Sequence, residues 1–149
     1  MAKTLEKFDM DWDFKVKKGM PGYINKKNFP VPFFSIIGLF AEDANYELRE
    51  CYVDRERLFI SGYSKGESNT LMLRYNCGEN NNLIVARVEF IHKRKGKMTE
   101  LYRILKKIRR KYHTGPIIIE SVMTEEMKTW CIKNNFHEDT CMRRCFFES

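Results

Sequence analysis

The sequence predicts an α/β (α+β) fold, in which a mixed β-sheet is flanked by helices. Three stretches rich in β-branched and aromatic residues, 58–63, 70–76 and 83–91, are separated by polar turns and are typical of strands. A strongly amphipathic helix and a short isoleucine strand follow them along the chain. The 149 residues, 43% of them apolar, suffice for one core and one domain.

The N-terminal part is predicted to combine irregular structure with a meander. Residues 1–32 mix aromatic and charged side chains and are interrupted by glycines and prolines, which favours irregular or edge structure. Residues 33–40 form a compact apolar run. The three predicted strands that follow, with a last turn at 78–82, indicate an antiparallel meander.

Residues 98–112 are predicted to form an amphipathic helix, because their apolar members recur at intervals of three and four. Thr114 and Gly115 end this helix, and Pro116 prevents it from resuming. The next residues, Ile117–Ile119, suit a strand buried on both faces. The apolar helix positions are Met98, Leu101, Leu105, Ile108 and Tyr112. The resulting unit is strand, basic loop, helix, strand.

A second helix is predicted to begin after Thr124, whose hydroxyl can cap the first turn. Glu125 and Glu126 suit the positive end of its dipole. Its end is expected at Asn134 or Asn135, since asparagine tolerates the left-handed conformation. Residues 136–147 are expected to form one or two strands. The inner face of the helix would consist of Met127, Trp130, Cys131 and Asn134.

Composition indicates a soluble, cytoplasmic protein with reduced thiols. The apolar run at 33–41 is too short to cross a bilayer, and the five cysteines show no paired zinc-site spacing. The three histidines also lack metal-site spacing, so we expect no metal cofactor. A net charge of +7, concentrated at 93–111, predicts attraction to a polyanion, either a nucleic acid or the phosphates of a cofactor.

The loop at 92–99 joins a predicted strand to a predicted helix and is the most informative segment. The first N–H groups of a helix lack internal partners and converge on one spot, which suits an anion. Gly96 allows a phosphate to approach the backbone, and Lys93, Arg94, Lys95 and Lys97 supply positive charge. A basic loop is also compatible with a simple solvated turn, but the strand-to-helix context favours a pyrophosphate site.

Residues 88–101 resemble the cofactor-binding motif of the GNAT superfamily of N-acetyltransferases. Val88 and Phe90 take the strand positions, Lys93 stands where Arg or Gln is usual, Gly96 matches the first glycine, and Met98 replaces the second small residue. Downstream, residues 117–122 resemble the next strand of the family, and residues 130–136 resemble its common ending Leu-Tyr-Glu-Lys-x-Gly-Phe. The resemblance covers 83–136.

The resemblance implies a centrally splayed GNAT-like sheet, with acetyl-coenzyme A (acetyl-CoA) as co-substrate. The pantetheine arm would lie between strands 83–91 and 117–122, and an amine would attack the thioester directly. Residues 83–136 would form the acetyl-CoA-binding core, 1–82 a meander and acceptor-side part, and 137–149 a C-terminal strand region. The residues expected to bind the cofactor are Val88, Phe90, Lys93, Arg94, Lys95, Gly96, Lys97, Met98 and Thr99.

Three residues are candidates for proton transfer. Glu120 is the first choice for general base, because a carboxylate in an apolar strand at the splay is poorly solvated. Glu89 is the second, although each glutamate would equally suit a strand end and a surface ion pair. Cys131 aligns with the tyrosine that serves as general acid in the family, but a buried packing role is more typical of cysteine.

Two other functions are compatible with the sequence. A nucleic-acid-binding module would use the basic face of helix 98–112, and a GNAT-like interaction protein would keep the scaffold without turnover. If the protein is an enzyme, the acceptor is left open between a small amine, an acidic protein segment and a nucleic acid bearing an amine. The oligomeric state is not indicated, and no membrane partner is expected.

Overall fold

A computed structural model describes residues 23–24, 32–93 and 95–148. Its helices are α1 (Phe33–Asp43), α2 (Lys97–Tyr112) and α3 (Glu125–Lys133). Its strands are β1 (Tyr23–Ile24), β2 (Leu48–Asp54), β3 (Arg57–Ser64), β4 (Glu67–Cys77), β5 (Asn82–Glu89), β6 (Ile117–Ile119), β7 (Phe136–Glu138) and β8 (Phe146–Glu148). No helix of this described part is long and apolar enough to cross a bilayer.

The eight strands form one mixed sheet in the order β1-β2-β3-β4-β5-β6-β8-β7. Only the β1–β2 and β5–β6 pairs are parallel, so the sheet is mostly antiparallel. The predicted α+β class and the β3–β5 meander are therefore confirmed. Within 1–32, the described strand β1 lies at the sheet edge, and most of the remaining stretch lies outside the described residues.

Helix α1 is formed by the apolar run that begins at Phe33. Phe33, Ile36, Ile37 and Phe40 are fully buried and follow the helical spacing i, i+3, i+4, i+7. This face packs on the sheet, with the Phe33 ring 5.0 Å from that of Tyr75 between centroids. A short apolar run suits a buried strand as well as a helix, so the pattern of residues 33–40 does not by itself distinguish the two.

The predicted strand–loop–helix–strand unit is β5–α2–β6, and its two strands are parallel. All five predicted apolar positions of α2 are buried. Strand β6 covers Ile117–Ile119, as the residue pattern predicted, and is shorter than the 117–122 strand that the resemblance implied, because the backbone turns to a left-handed φ of 57° at Ser121. This early end matters for the site described below.

The C-terminal elements also follow the prediction. The Thr124 hydroxyl accepts a hydrogen bond from the Met127 N–H, which caps α3, and Asn135 has a left-handed φ of 64° after the helix. Two strands follow, and the last one, β8, inserts between β6 and β7. The buried carboxylate of Glu148 holds β8 in place. It accepts hydrogen bonds from the Tyr102 hydroxyl, the Arg109 guanidinium and the Ile117 N–H.

Candidate functional site

The parallel strands β5 and β6 pair over only three residues and then separate. Their register runs from Leu83 opposite Ile117 to Val85 opposite Ile119. One further bond, from the Glu120 N–H to the Val85 carbonyl at 2.8 Å, closes the ladder. Strand β5 continues to Glu89, so among the described strands its residues 86–89 have no partner on the β6 side. Backbone polar groups left in this way require water or a ligand.

A cleft of about 700 Å³ opens where the two strands separate. One wall is formed by β5 residues 86–90, and the opposite wall by residues 119–124 together with the first turns of α3. The cleft extends to the N-terminus of α2, where it is lined by residues 96–99. Its volume lies within the range of about 300–1,000 Å³ that is usual for small-molecule and cofactor sites.

Most of the predicted cofactor-binding residues meet in this cleft. Lys95 instead lines a second groove, of about 790 Å³, between α1 and α2. Arg94 lies outside the described residues. The predicted residues that line the cleft are Val88, Phe90, Lys93, Gly96, Lys97, Met98 and Thr99.

A β-bulge at Ala86 sets the direction of the side chains that follow it. Leu73 of β4 lies opposite Val85, but the preceding residue Met72 lies opposite Arg87, so β5 has one extra residue here. Because of this extra residue, the side chains of Val88 and Phe90 lie on the core-facing side of the sheet. Phe90 is buried, and its ring stacks on Phe40 with centroids 4.7 Å apart.

The N-terminus of α2 borders the cleft, and its backbone donors have no cap from the described side chains. Gly96 is the N-cap residue with a left-handed φ of 72°, and no described side chain caps the helix. An added Cβ at Gly96 would meet no atom within 4 Å, so the space beside it is open. The Thr99 hydroxyl accepts a hydrogen bond from the Trp130 indole N–H at 3.1 Å, which leaves the Thr99 proton available to an anion.

The start of the basic loop is held by Asp43, a buried carboxylate at the end of α1. It accepts hydrogen bonds from the backbone N–H groups of Ile91 (2.8 Å) and His92 (2.9 Å), and from the Asn69 amide (2.9 Å). Burial alone raises the pKa of this carboxyl, but the bonds from Asn69, His92 and Ile91 together outweigh it and hold the pKa below its ordinary value. Asp43 could not be predicted from local sequence, because it lies 48 positions before Ile91 in the chain.

The two candidate bases occupy different environments. Glu120 follows β6 at the point where the strands separate, and its carboxylate forms an ion pair with Arg74 of β4. Glu89 is exposed at the end of β5 and has no ion-pair partner among the described residues. Both glutamates line the cleft, as does Glu126 of α3. A cleft with lysines at one end and carboxylates along its walls suits a ligand that is anionic at one end.

The structure places Cys131 in the core and outside the cleft lining. Its thiol is fully buried, and burial raises its pKa to about 12. Tyr102 is also held away from the cleft, with its ring packed against Trp130 and Phe136. Burial, and then the bond to Glu148, raise the pKa of Tyr102 to about 12. Among the described residues, no cysteine or tyrosine lines the cleft.

The described residues contain no group of three or more His, Cys, Asp or Glu side chains placed to hold a metal ion. Comparison of the chain with protein-family models, with curated proteins and with solved structures finds no match. Three features therefore bear on function: the separation of β5 from β6, the adjoining cleft, and the N-terminus of α2, which no described side chain caps.

Proposed function

We propose that this protein is an N-acetyltransferase that transfers an acetyl group from acetyl-CoA to an amine. The observation that carries the proposal is the separation of β5 and β6 after Val85 and Ile119, which opens a cleft ending at the N-terminus of α2. The GNAT-like sequence motif lies along this same cleft. Local sequence pattern and tertiary geometry thus favour one ligand.

The parts of acetyl-CoA match successive parts of the cleft. The pyrophosphate would lie against the first N–H groups of α2, with Lys93 and Lys97 nearby and the Thr99 hydroxyl as a further donor. The pantetheine arm carries two amides, which would pair with the unpartnered edge of β5 at residues 86–89. The thioester would then lie near Glu120, at the point of separation.

Transfer at this point needs no covalent enzyme intermediate. The amine attacks the thioester carbonyl, loses a proton to a base, and releases the thiolate of CoA. Glu120 can accept that proton through a carboxylate oxygen not engaged by Arg74, and Glu89 can accept it directly or through water. Because the described cleft lining offers no tyrosine or cysteine, we assign protonation of the thiolate to water.

Calorimetric titration with acetyl-CoA tests the cofactor site. Gly96→Glu places a carboxylate where a phosphate is expected, and like charges in contact cost several kcal/mol, so affinity should fall by more than roughly 100-fold. Gly66→Glu is the matched control, because Gly66 also has a positive φ (82°) and open space around it but lies in the β3–β4 turn. It should bind acetyl-CoA like the wild type.

Two outcomes would contradict the proposal in different ways. No binding of acetyl-CoA by the folded wild type would exclude the cofactor site. Salt-dependent binding of RNA or DNA would then favour a nucleic-acid module that uses the exposed residues Arg103, Lys107, Arg110 and Lys111 of α2. Binding without release of CoA thiol in an amine screen would instead favour a GNAT-like interaction protein.

A further inference from the structure

The last two residues of α1 contact both ends of the basic loop. Asp43 accepts hydrogen bonds from the N–H groups of Ile91 and His92, where β5 ends. The Glu42 carboxylate lies 3.6 Å from the Lys97 ammonium, where α2 begins. Two adjacent acidic residues, about 50 positions earlier in the chain, thus hold the loop from either side.

Asp43 is an unusual residue for this position. A carboxylate at a helix C-terminus faces the negative end of the dipole, and a fully buried one is costly unless it is compensated. Here every described partner is a donor: two backbone N–H groups, the Asn69 amide, and the His92 ring Nδ1 at 3.1 Å. Three of these four bonds come from Ile91 and His92, at the start of the loop, and the fourth comes from Asn69, so the carboxylate links the end of α1 to the start of the loop.

We infer that Glu42 and Asp43 are positioning residues that set the loop for binding the pyrophosphate of the cofactor, an inference that rests on the proposed function. Backbone N–H groups bind an anion well only when they are already aligned, because alignment during binding costs free energy. Asp43 fixes the strand end and Glu42 steadies Lys97, so the donors of α2 and the loop lysines keep a constant separation. Neither acidic residue lines the cleft.

Asp43→Asn removes the charge and places an amide NH₂ group among donors. Asn offers one accepting oxygen to partners that Asp satisfies with two, so at least one hydrogen bond that aligns the loop before binding is lost. The loop must then be aligned during binding, and we expect about a tenfold loss of affinity. Glu42→Gln removes one ion pair, in which the Glu42 side chain is largely exposed and the Lys97 side chain is not, and roughly a twofold effect is expected. Asp54→Asn is the control, since Asp54, the last residue of β2, forms an exposed pair with Arg57, the first residue of β3.

The two ligands to compare are acetyl-CoA and acetyl-pantetheine, which lacks the pyrophosphate and the nucleotide. If Asp43 positions the pyrophosphate site, Asp43→Asn binds acetyl-CoA about tenfold more weakly than the wild type and binds acetyl-pantetheine equally well. A purely structural role predicts equal losses for both ligands. Equal losses, or unchanged affinity for acetyl-CoA, would overturn the inference.

Hydrogen exchange of the Ile91 and His92 amides reads the contact without any ligand. The two amides donate to different carboxylate oxygens of Asp43 in the wild type, so at least one of them should exchange faster in Asp43→Asn, while the β3–β4 amides stay protected. Unchanged exchange would overturn the contact between Asp43 and the loop. If exchange changes as expected but the wild type binds no acetyl-CoA, the proposed function is overturned, and the cofactor role of Asp43 with it. If Asp43→Asn does not fold, Glu42→Gln serves in the same ligand comparison, because Glu42 lies outside the cleft lining. The absence of a selective loss of acetyl-CoA affinity in Glu42→Gln would then overturn the inference.

Discussion

Replacement of Gly62 by alanine tests the packing that supports Asp43. Gly62 lies in β3, where an added Cβ would come within 2.6 Å of the Ala44 Cβ and 2.7 Å of the Asn69 Oδ1. The Ala44 Cβ moves only with its backbone. Asn69 is fully buried, and its amide donates to the Phe40 carbonyl and to Asp43, both at 2.9 Å. The new methyl group therefore pushes on the residue that holds Asp43.

The size of the effect follows from these contacts. Overpacking costs about 1–3 kcal/mol, and loss of the Asn69–Asp43 hydrogen bond costs about 1.5–3 kcal/mol. The lower part of each range sums to about 3 kcal/mol. Alanine also reduces the conformational freedom of the unfolded chain, which offsets about 0.4–1 kcal/mol of this cost. The net loss of about 2 kcal/mol corresponds to roughly 6 °C in Tm for a chain of this size.

Urea unfolding followed by circular dichroism measures the change. Gly66→Ala is the control, because its φ of 82° carries backbone strain of about 1–2 kcal/mol without crowding. The sign of the Gly62 result is decisive. Without crowding, Gly62→Ala would stabilise the protein through the unfolded state, so an unfolding free energy at or above the wild-type value would refute the reasoning.

Three further predictions concern pH, thiol reactivity and capping. The folded-state pKa of Asp43 is lowered, so its stabilisation is present above the unfolded pKa of about 3.9 and is lost as pH falls through the folded pKa. In urea titrations, the stability advantage of the wild type over Asp43→Asn should therefore shrink below about pH 4. A constant advantage down to about pH 2 would contradict this. With its pKa raised to about 12 by burial, Cys131 should resist iodoacetamide at pH 8 in the native protein while exposed Cys141 reacts, and mass spectrometry that finds Cys131 alkylated first would show that it is accessible. Thr124→Ala should lower the unfolding free energy by about 1 kcal/mol through loss of the α3 cap. Thr129→Ala, at an exposed position in the same helix, should leave the unfolding free energy unchanged or slightly higher. Equal effects of the two substitutions would argue against the cap.

Most secondary structure of the described chain could be predicted because it depends on neighbours a few residues apart. Helix α2 followed from apolar residues every three or four positions, and the cap of α3 from one threonine. Strand β2 was missed because a register shift between Leu48 and Glu50 breaks the alternation that marks a strand. The insertion of β8 between β6 and β7 has no local signal at all.

The local chemistry of the candidate site could be predicted from the amino-acid sequence. It consists of a basic loop that contains Gly96 and joins a strand to a helix. The convergence of N–H groups at a helix start is a property of a short segment, so residues 92–99 were sufficient to predict it, whereas the left-handed N-cap conformation of Gly96 is known only from the structure. The surroundings of that segment depend on tertiary contacts. These are the separation of β5 from β6, the Arg74–Glu120 ion pair and the hydrogen bonds from the loop start to Asp43. These contacts join residues 34 to 49 positions apart, and their formation depends on the packing of α1 and the sheet into one core, which no local pattern encodes.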